Sequence, residues 1–337
     1  MRVIVVGFGV VGQSFAKLLL SRSADLYSQY GIKPRIVACV DNDGAAVAPA
    51  GIDLQRLLEV KRTRGTVGQY DKRNDNKFGP LQIIENVDAE VVLECTPTNL
   101  TDGEPGTSHI ITAMRTGKHV ITVNKGPLAL AFPSLIELAN YNGVMLRFSG
   151  TVGGGTPILE FAKRCLKGDR ITSFKGILNG TTNYILSKMS EGLTYQSALQ
   201  DATREGYAEA NPSLDVDGFD AAAKLVIMAN WIMGMKVTMK DVKCTGITGV
   251  SVSDVKDAAQ KGNAIKLIAS CDSRRLTVEP TEVAKSDPIC VNGTLNAVTF
   301  SSEHSGQQTI IGRGAGGMET ASAVLRDLIE IRDTTFS

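Results

Sequence analysis

Several things are scarce in this chain, and each scarcity excludes a class of protein. The six cysteines, at 39, 95, 165, 244, 271 and 290, include no close-spaced pair, which argues against a zinc site and against a disulfide framework. They read as reduced, buried thiols of a cytoplasmic protein. Aromatic residues make up only 5%. Neither sign of charge dominates, with 36 Lys and Arg against 35 Asp and Glu for a net charge of +1, so no field favours nucleic acid or an anionic membrane. No apolar run reaches the roughly 20 residues that span a bilayer. The first residues already have the pattern of a strand, which leaves no place for a signal peptide.

What is present points to a soluble enzyme. The 337 residues suffice for two domains, and the 43% apolar and 21% charged residues are values of a folded soluble protein. The 34 glycines concentrate in clusters, as where backbone approaches a ligand. Met1 to Val6 is a continuous apolar strand that runs into Gly7-Phe8-Gly9-Val10-Val11-Gly12, and a helix follows with Phe15, Leu18 and Leu19 on one face. Strand, GxGxxG and helix in that order is the arrangement a dinucleotide site needs. The first glycine makes the turn, the second admits the pyrophosphate, and the third lets helix and strand pack.

A second strand, 35–40, ends in Asp41, the place of an acid that bonds the adenosine ribose about 20 residues after the glycines. Here the gap is longer, because polar residues from Ser21 to Lys33 extend the connection. Asp41 favours NAD by repelling a 2′-phosphate; Lys61, Arg62 and Arg64 offer the opposite preference, unless they are only a solvated loop. The choice between NAD and NADP stays open. Residues 66–80 read as an exposed loop. The strand 90–96 leads into Thr96-Pro97-Thr98-Asn99, and the strand 119–123 into Asn124-Lys125. Ligands bind beyond the carboxyl ends of such strands, which makes Lys125 a candidate for substrate or catalysis. Helices are expected over 107–117 and 132–140 and a closing strand over 144–148. His109 and His119 read as structural.

After Ser149–Pro157 (SGTVGGGTP) the strand–helix alternation stops. Its three glycines free backbone groups for a cation or a substrate, or serve as a hinge. Helices over 158–167, 194–205 and 252–261 and strands over 171–178, 264–271, 276–281, 297–301 and 308–311 give an α+β pattern. Asn179-Gly180-Thr181-Thr182-Asn183 opens a helix as a cap, an anion site or both. From Phe219 the apolar residues fall into helical rhythm, and Asp220 and Lys224, four apart, share a face: an ordinary solvated ion pair, or a site. Asp217 is expected to cap that helix. The cluster Gly312–Gly317 before a helix at 319–331 suggests that the chain returns to the nucleotide domain. The expected fold is α/β: a Rossmann-type dinucleotide-binding domain, 1–148 completed by 308–337, and an α+β substrate-binding and dimerisation domain, 149–307.

The combination of GFGVVG, CTPTN (95–99), TVNKGPLA (122–129), TVGGGTPIL (151–159), NGTTNYIL (179–186), GYAEANPSLDVDGFDAAAKL (206–225), GNAIKLIA (262–269) and GRGAGG (312–317) resembles homoserine dehydrogenase across essentially the whole chain. Without a kinase region or a C-terminal regulatory extension, it looks like a short monofunctional form. The resemblance implies NAD(P)-dependent interconversion of L-aspartate 4-semialdehyde and L-homoserine on the route to threonine, methionine and isoleucine, by a homodimer. It implies that Lys224 donates the proton, held by Asp220, and that Lys125 binds and polarises the substrate. Glu209 would bind the substrate amino group with Asp215 beside it, and Gly180, Thr181 and Tyr207 would share that pocket. Phe8, Val10, Val11, Thr96, Asn124 and Gly316 would contact the cofactor with the glycine turn. Family members that bind sodium use a glutamate where this chain has Ser149; here only the carbonyls of Val152, Gly154 and Thr156 remain for a monovalent cation. The competing readings are another NAD(P)-dependent dehydrogenase of a small amino acid, which would not need NGTTNYIL with the 206–225 acids, and a redox sensor without turnover, which would have little use for two lysines beside a cofactor.

Overall fold

Continuous apolar runs become buried strands in a computed structural model that describes residues 1–71, 78–209 and 211–335. The chain divides into two units, Met1–Thr151 with Gly316–Ser337, and Val152–Ala315.

In the first unit the elements are β1 (Arg2–Val6), α1 (Val10–Tyr30), β2 (Arg35–Asp41), β3 (Gly44–Val47), α2 (Leu54–Arg64), α3 (Pro80–Asn86), β4 (Val91–Glu94), α4 (Gly106–Arg115), β5 (His119–Thr122), α5 (Lys125–Tyr141) and β6 (Leu146–Arg147). They form one sheet in the order β3-β2-β1-β4-β5-β6. All neighbours are parallel except the edge pair β2–β3. Val3–Val6 and Ile36–Val40 are buried throughout, as strands covered on both faces must be. The strand order reverses at β1, between β2 and β4. The crevice of this Rossmann-type sheet therefore opens where β1, β4 and β5 end.

Several boundaries differ from those expected. The polar stretch after Ser21 belongs to α1 rather than to a connection: Leu26 anchors it in the core, and Gly31, at φ +63°, ends the helix, its N–H donating to the Tyr27 carbonyl and the Ile32 N–H to the Leu26 carbonyl. Of the expected loop 66–80, residues 72–77 lie outside the described residues, Val67–Gln69 is a buried-edged 3₁₀ turn, and Pro80 begins α3. Lys61, Arg62 and Arg64 sit in the last turn of α2, not in a loop. The fifth helix begins at Lys125 because Asn124 caps it, accepting from the Gly126 N–H at 3.0 Å, and it kinks at Ala131 ahead of Pro133.

The second unit contains α6 (Ile158–Glu160), continued as one π-helical turn to Cys165, then β7 (Ile171–Ile177), α7 (Gly180–Ser190), α8 (Tyr195–Arg204), α9 (Ser213–Val216), α10 (Phe219–Met233), β8 (Val242–Cys244), α11 (Val252–Gln260), β9 (Asn263–Cys271), β10 (Leu276–Ala284), β11 (Leu295–Ser302) and β12 (Gly306–Arg313). Its sheet runs β12-β11-β7-β9-β10-β8, antiparallel except for β10–β8. Residues Ala221 to Asn230 of α10 are all buried. The segment 308–313, expected with the nucleotide domain, is instead the second arm of a hairpin, paired with β11 from Leu295–Arg313 to Ser302–Gly306. A three-residue connection makes that local pairing the simplest one available. Only from Gly316 does the chain belong to the first unit, where α12 (Gly317–Thr335) buries Ala321, Val324, Leu328 and Ile331 and packs on α1. The six cysteines are free, but of the thiols expected to be buried only Cys39 and Cys271 are; Cys95, Cys244 and Cys290 are half-buried and Cys165 is exposed.

Candidate functional site

The glycine turn has the shape its sequence suggests. Gly7 has φ +96°, and a Cβ there would fall 2.6 Å from the Cys95 carbonyl carbon; a Cβ at Gly12 would fall 2.5 Å from the Gly7 carbonyl oxygen. Both positions exclude a side chain, so β1, α1 and the turn after β4 can lie close together. Gly9 faces open space and, as N-cap, gives α1 no side-chain cap. Val10 is 71% exposed, Val11 half-buried, and the Phe8 ring is buried in the core. Phe8 therefore has only backbone to offer a cofactor. Gly316, at φ +135°, packs tightly against the Glu319 carboxylate, and Gly317 against Ser14 and Val10 at the start of α1.

A carboxylate unremarked in the sequence organises the next two strand ends. Glu94, fully buried, accepts from the Thr96 N–H at 3.1 Å, from the Thr96 hydroxyl, and from the Thr122 hydroxyl at 3.2 Å. The buried His109 ring has its Nδ1 3.6 Å from it, beyond hydrogen-bond reach, whereas His119 Nδ1 accepts from the Met145 N–H at 3.0 Å. Asn124 donates to Thr96 Oγ1 at 3.3 Å and to the Pro97 carbonyl at 3.2 Å. The turns after β4 and β5 are thus one hydrogen-bonded unit, with half-buried Lys125 at its rim.

Asp41 stands at the carboxyl end of β2, but its oxygens are engaged. It accepts from Lys61 Nζ at 2.7 Å, the Thr66 hydroxyl at 2.8 Å and the Val67 N–H at 2.8 Å. Burial opposes its charge, and these donors together with the Asp43 N–H outweigh that and hold its pKa below the usual carboxylate value. Arg62 pairs with Glu59.

The second unit gathers the opposite kind of site. Lys224, 7% exposed, donates to Asp220 at 2.7 Å and to the Leu178 carbonyl at 2.7 Å. Asn179 has two jobs. Its Oδ1 caps α7 by accepting from the Thr182 N–H at 2.8 Å, while its Nδ2 donates to Asp215 at 2.6 Å and Asp220 at 2.9 Å. Burial first, and then the charge of Asp220, raises the pKa of Asp215, against the pull of Asn179, Lys224 and Thr181. The Thr181 hydroxyl donates to the Tyr207 carbonyl at 2.7 Å, and the Tyr207 ring packs on Tyr184. Gly180 allows α7 to approach the chain at Thr294, whose carbonyl oxygen would meet a Cβ at 2.7 Å. Glu209 is exposed. Asp217 does not cap α10: Gly218 is the N-cap, and Asp217 ends α9. A cavity of about 560 Å³ bordered by Thr245, Asp254, Glu279 and Glu282 lies elsewhere in this unit and includes none of these residues.

The cation loop departs from the metal-binding pattern. Ser149 donates its N–H at 2.9 Å and its hydroxyl to the buried carboxylate of Asp327. The Thr156 carbonyl accepts from the Ile158 N–H at 2.8 Å. Val152, Gly154 and Thr156 thus offer neutral carbonyls only, and no group of three or more His, Cys, Asp or Glu placed to hold a metal occurs among the described residues.

The homoserine dehydrogenase family model matches residues 157–329, and that of the glutamate/leucine/phenylalanine/valine dehydrogenases matches residues 1–114. A homoserine dehydrogenase of Methanocaldococcus jannaschii is 44% identical over 99% of both chains. The chain belongs to the homoserine dehydrogenase family. An NAD(+)-dependent homoserine dehydrogenase of Pseudomonas canavaninivorans is 37% identical over 98% of this chain and 96% of its own. A hyperthermophilic archaeal homoserine dehydrogenase solved in complex with NADPH matches with a TM-score of 0.85 at 26% identity, covering 99% of this chain and 98% of that one.

Within this family member, three contributors escape a sequence reading. Glu94 is hidden because an acid closing a strand looks like a surface residue. Asn296, 1% exposed, donates to the same Leu178 carbonyl that Lys224 uses, at 3.1 Å. Lys266, 1% exposed, lies within the apolar run of β9. The only signal for the last was a lysine in the middle of an otherwise unbroken core strand.

Proposed function

We propose that the protein is an NAD(P)-dependent homoserine dehydrogenase, interconverting L-aspartate 4-semialdehyde and L-homoserine in the synthesis of threonine, methionine and isoleucine. The observation that carries the reading is the sunken Lys224 ammonium, held by Asp220 and the Leu178 carbonyl, with Asn179 joining Asp220 to Asp215. Two of the three Lys224 N–H donors are committed, and the third is available to a substrate oxygen.

The glycine turn, with an uncapped helix start and open space at Gly9, fits a dinucleotide pyrophosphate. The residues that would hold the dinucleotide are the backbone of Gly7–Gly12, Thr96 and Asn124 near the nicotinamide, and Gly316; Asp41, its oxygens already engaged by Lys61, Thr66 and Val67, would stand beside the ribose as a charge balanced by Lys61. The chemistry supplied by the bound nicotinamide is hydride transfer. In the direction of reduction, Lys224 donates a hydrogen bond to the aldehyde oxygen, stabilises the negative charge that grows there, and gives it the proton. In the direction of oxidation the neutral Lys224 amine takes the hydroxyl proton. Lys125 adds a second positive charge to polarise the carbonyl. Glu209 and Asp215 bind the substrate ammonium, whose charge offsets the proximity of Asp215 to Asp220. A cation at Val152, Gly154 and Thr156 has the least support, since Ser149 brings no charge, and no step depends on one.

One observation favours a second reading, an amino-acid dehydrogenase of the glutamate/leucine type: the family match over residues 1–114. That match ends before the residues that distinguish the substrate. Purified protein assayed with L-aspartate 4-semialdehyde and NADH or NADPH, beside L-glutamate and L-leucine with the oxidised cofactors, separates the two. Turnover of the semialdehyde alone is expected; no turnover of it with either cofactor would sink the proposal. The NADH to NADPH rate ratio reads the balance between Asp41 and Lys61. The same reading makes the protein a cytoplasmic homodimer assembled through the 152–315 unit. Its free cysteines suit a reducing compartment, and light scattering at working concentration tests the dimer.

A further inference from the structure

Lys266 is a buried charge for which the reaction above has no use. Its Nζ donates to Asn183 Oδ1 at 2.9 Å, Asn292 Oδ1 at 3.0 Å and Ser187 Oγ at 3.4 Å. The acceptors are fixed in that sense. Asn183 Nδ2 is spent on the Leu295 carbonyl at 3.0 Å, so its oxygen faces the lysine. The Ser187 hydroxyl donates to the Asn183 carbonyl at 2.7 Å, which leaves a lone pair for Lys266. Three acceptors require three N–H donors, so the arrangement is complete only for the ammonium. No carboxylate is among them, and burial lowers the pKa of this lysine to about 8, with Cys290 opposing. A buried ammonium without a carboxylate partner is costly to stability.

The three acceptors come from two elements that meet at the proposed site. Asn183 and Ser187 belong to α7, whose N-cap is Asn179. Asn292 begins the segment that passes Thr294, against which Gly180 packs, and reaches Asn296, which donates to the Leu178 carbonyl at 3.1 Å. Gly293 closes the joint by donating to Ser187 Oγ at 3.2 Å. We propose that Lys266 is a positioning residue for the reaction: it clamps α7 to the 292–296 segment and so sets where the Leu178 carbonyl and the Asn179 amide hold Lys224, Asp220 and Asp215. This rests on the reading that Lys224 handles the proton.

Lys266→Met keeps the length and apolar stem of the side chain and removes all three donors. The expected outcome is an unchanged KM for the cofactor, kcat lower by about tenfold or more, and a larger solvent deuterium isotope effect on kcat, because proton delivery becomes harder. Loss of folded enzyme alone would lower kcat without moving the isotope effect. Asn292, exposed at the surface, supplies a variant that should fold: Asn292→Ala is expected to shift the isotope effect in the same direction by less, and to add nothing in the Lys266→Met background. A wild-type isotope effect in Lys266→Met overturns the proposal, whether kcat is retained or is lost along with melting temperature. If Lys266→Met does not fold, a wild-type isotope effect in Asn292→Ala overturns it. Lys224→Ala run alongside separates the two ideas: near wild-type activity there strikes the proton assignment, whereas an inactive Lys224→Ala beside a normal Lys266→Met strikes Lys266 alone.

Discussion

Two lysines lie buried in the same unit, 7% exposed at 224 and 1% at 266, in opposite surroundings. Lys224 has a carboxylate at 2.7 Å and a second one linked to it through Asn179. Lys266 has only amide and hydroxyl oxygens. A carboxylate partner offsets the cost of taking an ammonium out of water, and neutral acceptors do so only in part. The contrast suggests a division of labour. Charge that must meet a reacting oxygen is kept in place by another charge. Charge that fixes the spacing of a helix and a loop is held by geometry, and it costs stability.

The largest effect should follow from the paired lysine. Lys224→Ala is expected to lower kcat about a thousandfold with a much smaller change in KM, well beyond what Lys266→Met produces. Steady-state kinetics on both variants, with melting curves to confirm folding, measure the gap. Equal losses would mean that the two lysines act in the same way and would break the comparison.

Asp215 gives a smaller effect that sharpens the same point. Replacing it by Asn keeps the size and the Asn179 contact but removes the charge meant for the substrate ammonium. KM for homoserine should rise about ten- to a hundredfold, with less change in kcat. Stability should move the other way. The folded-state pKa of Asp215 is raised, by burial first and then by Asp220, so its stabilising contribution is full below its unfolded value and is lost as pH rises through the folded value. At neutral pH Asp215→Asn escapes that loss and should melt higher than wild type, an advantage that fades on acidification. A lower melting temperature at neutral pH would show that Asp215 is there for the fold.

How far such features can be read ahead depends on the distance over which they are made. Gly7–Gly12, the strand ends at Thr96 and Asn124, and the Asp220–Lys224 spacing are local patterns, and the sequence shows them without help. The occupation of Asp41 by Thr66, 25 residues on, and the clamp between Asn183 and Lys266, 83 residues apart, are pairings between segments that no periodicity links. β12 lies outside the nucleotide domain for a related reason. Its glycine-rich exit resembles the start of a nucleotide-binding turn, and only its pairing with β11 reveals a hairpin. Asn179 was legible as a cap or a ligand, and it is in contact with both the helix start and the carboxylates because an amide has a separate oxygen and nitrogen to give.

The last effect, on stability rather than on turnover, is a dependence on pH, and it tests the neutral shell of Lys266 directly. In the folded state its pKa falls from 10.5 to about 8, because burial penalises the ammonium. Between those values the unfolded chain holds the proton and the folded one has released it, so stability contributed at this position rises with pH across that window and is lowest below about 8. The full span is worth roughly 3 kcal/mol at about 1.4 kcal/mol per pH unit. Lys266→Met has no such group, so the stability difference between wild type and variant should shift in favour of wild type as urea unfolding is repeated from neutral pH to above pH 10. A flat difference for Lys266 would mean that its shell stabilises the ammonium as well as water does, and the contrast between the two lysines would then lie in their partners' geometry rather than in their cost.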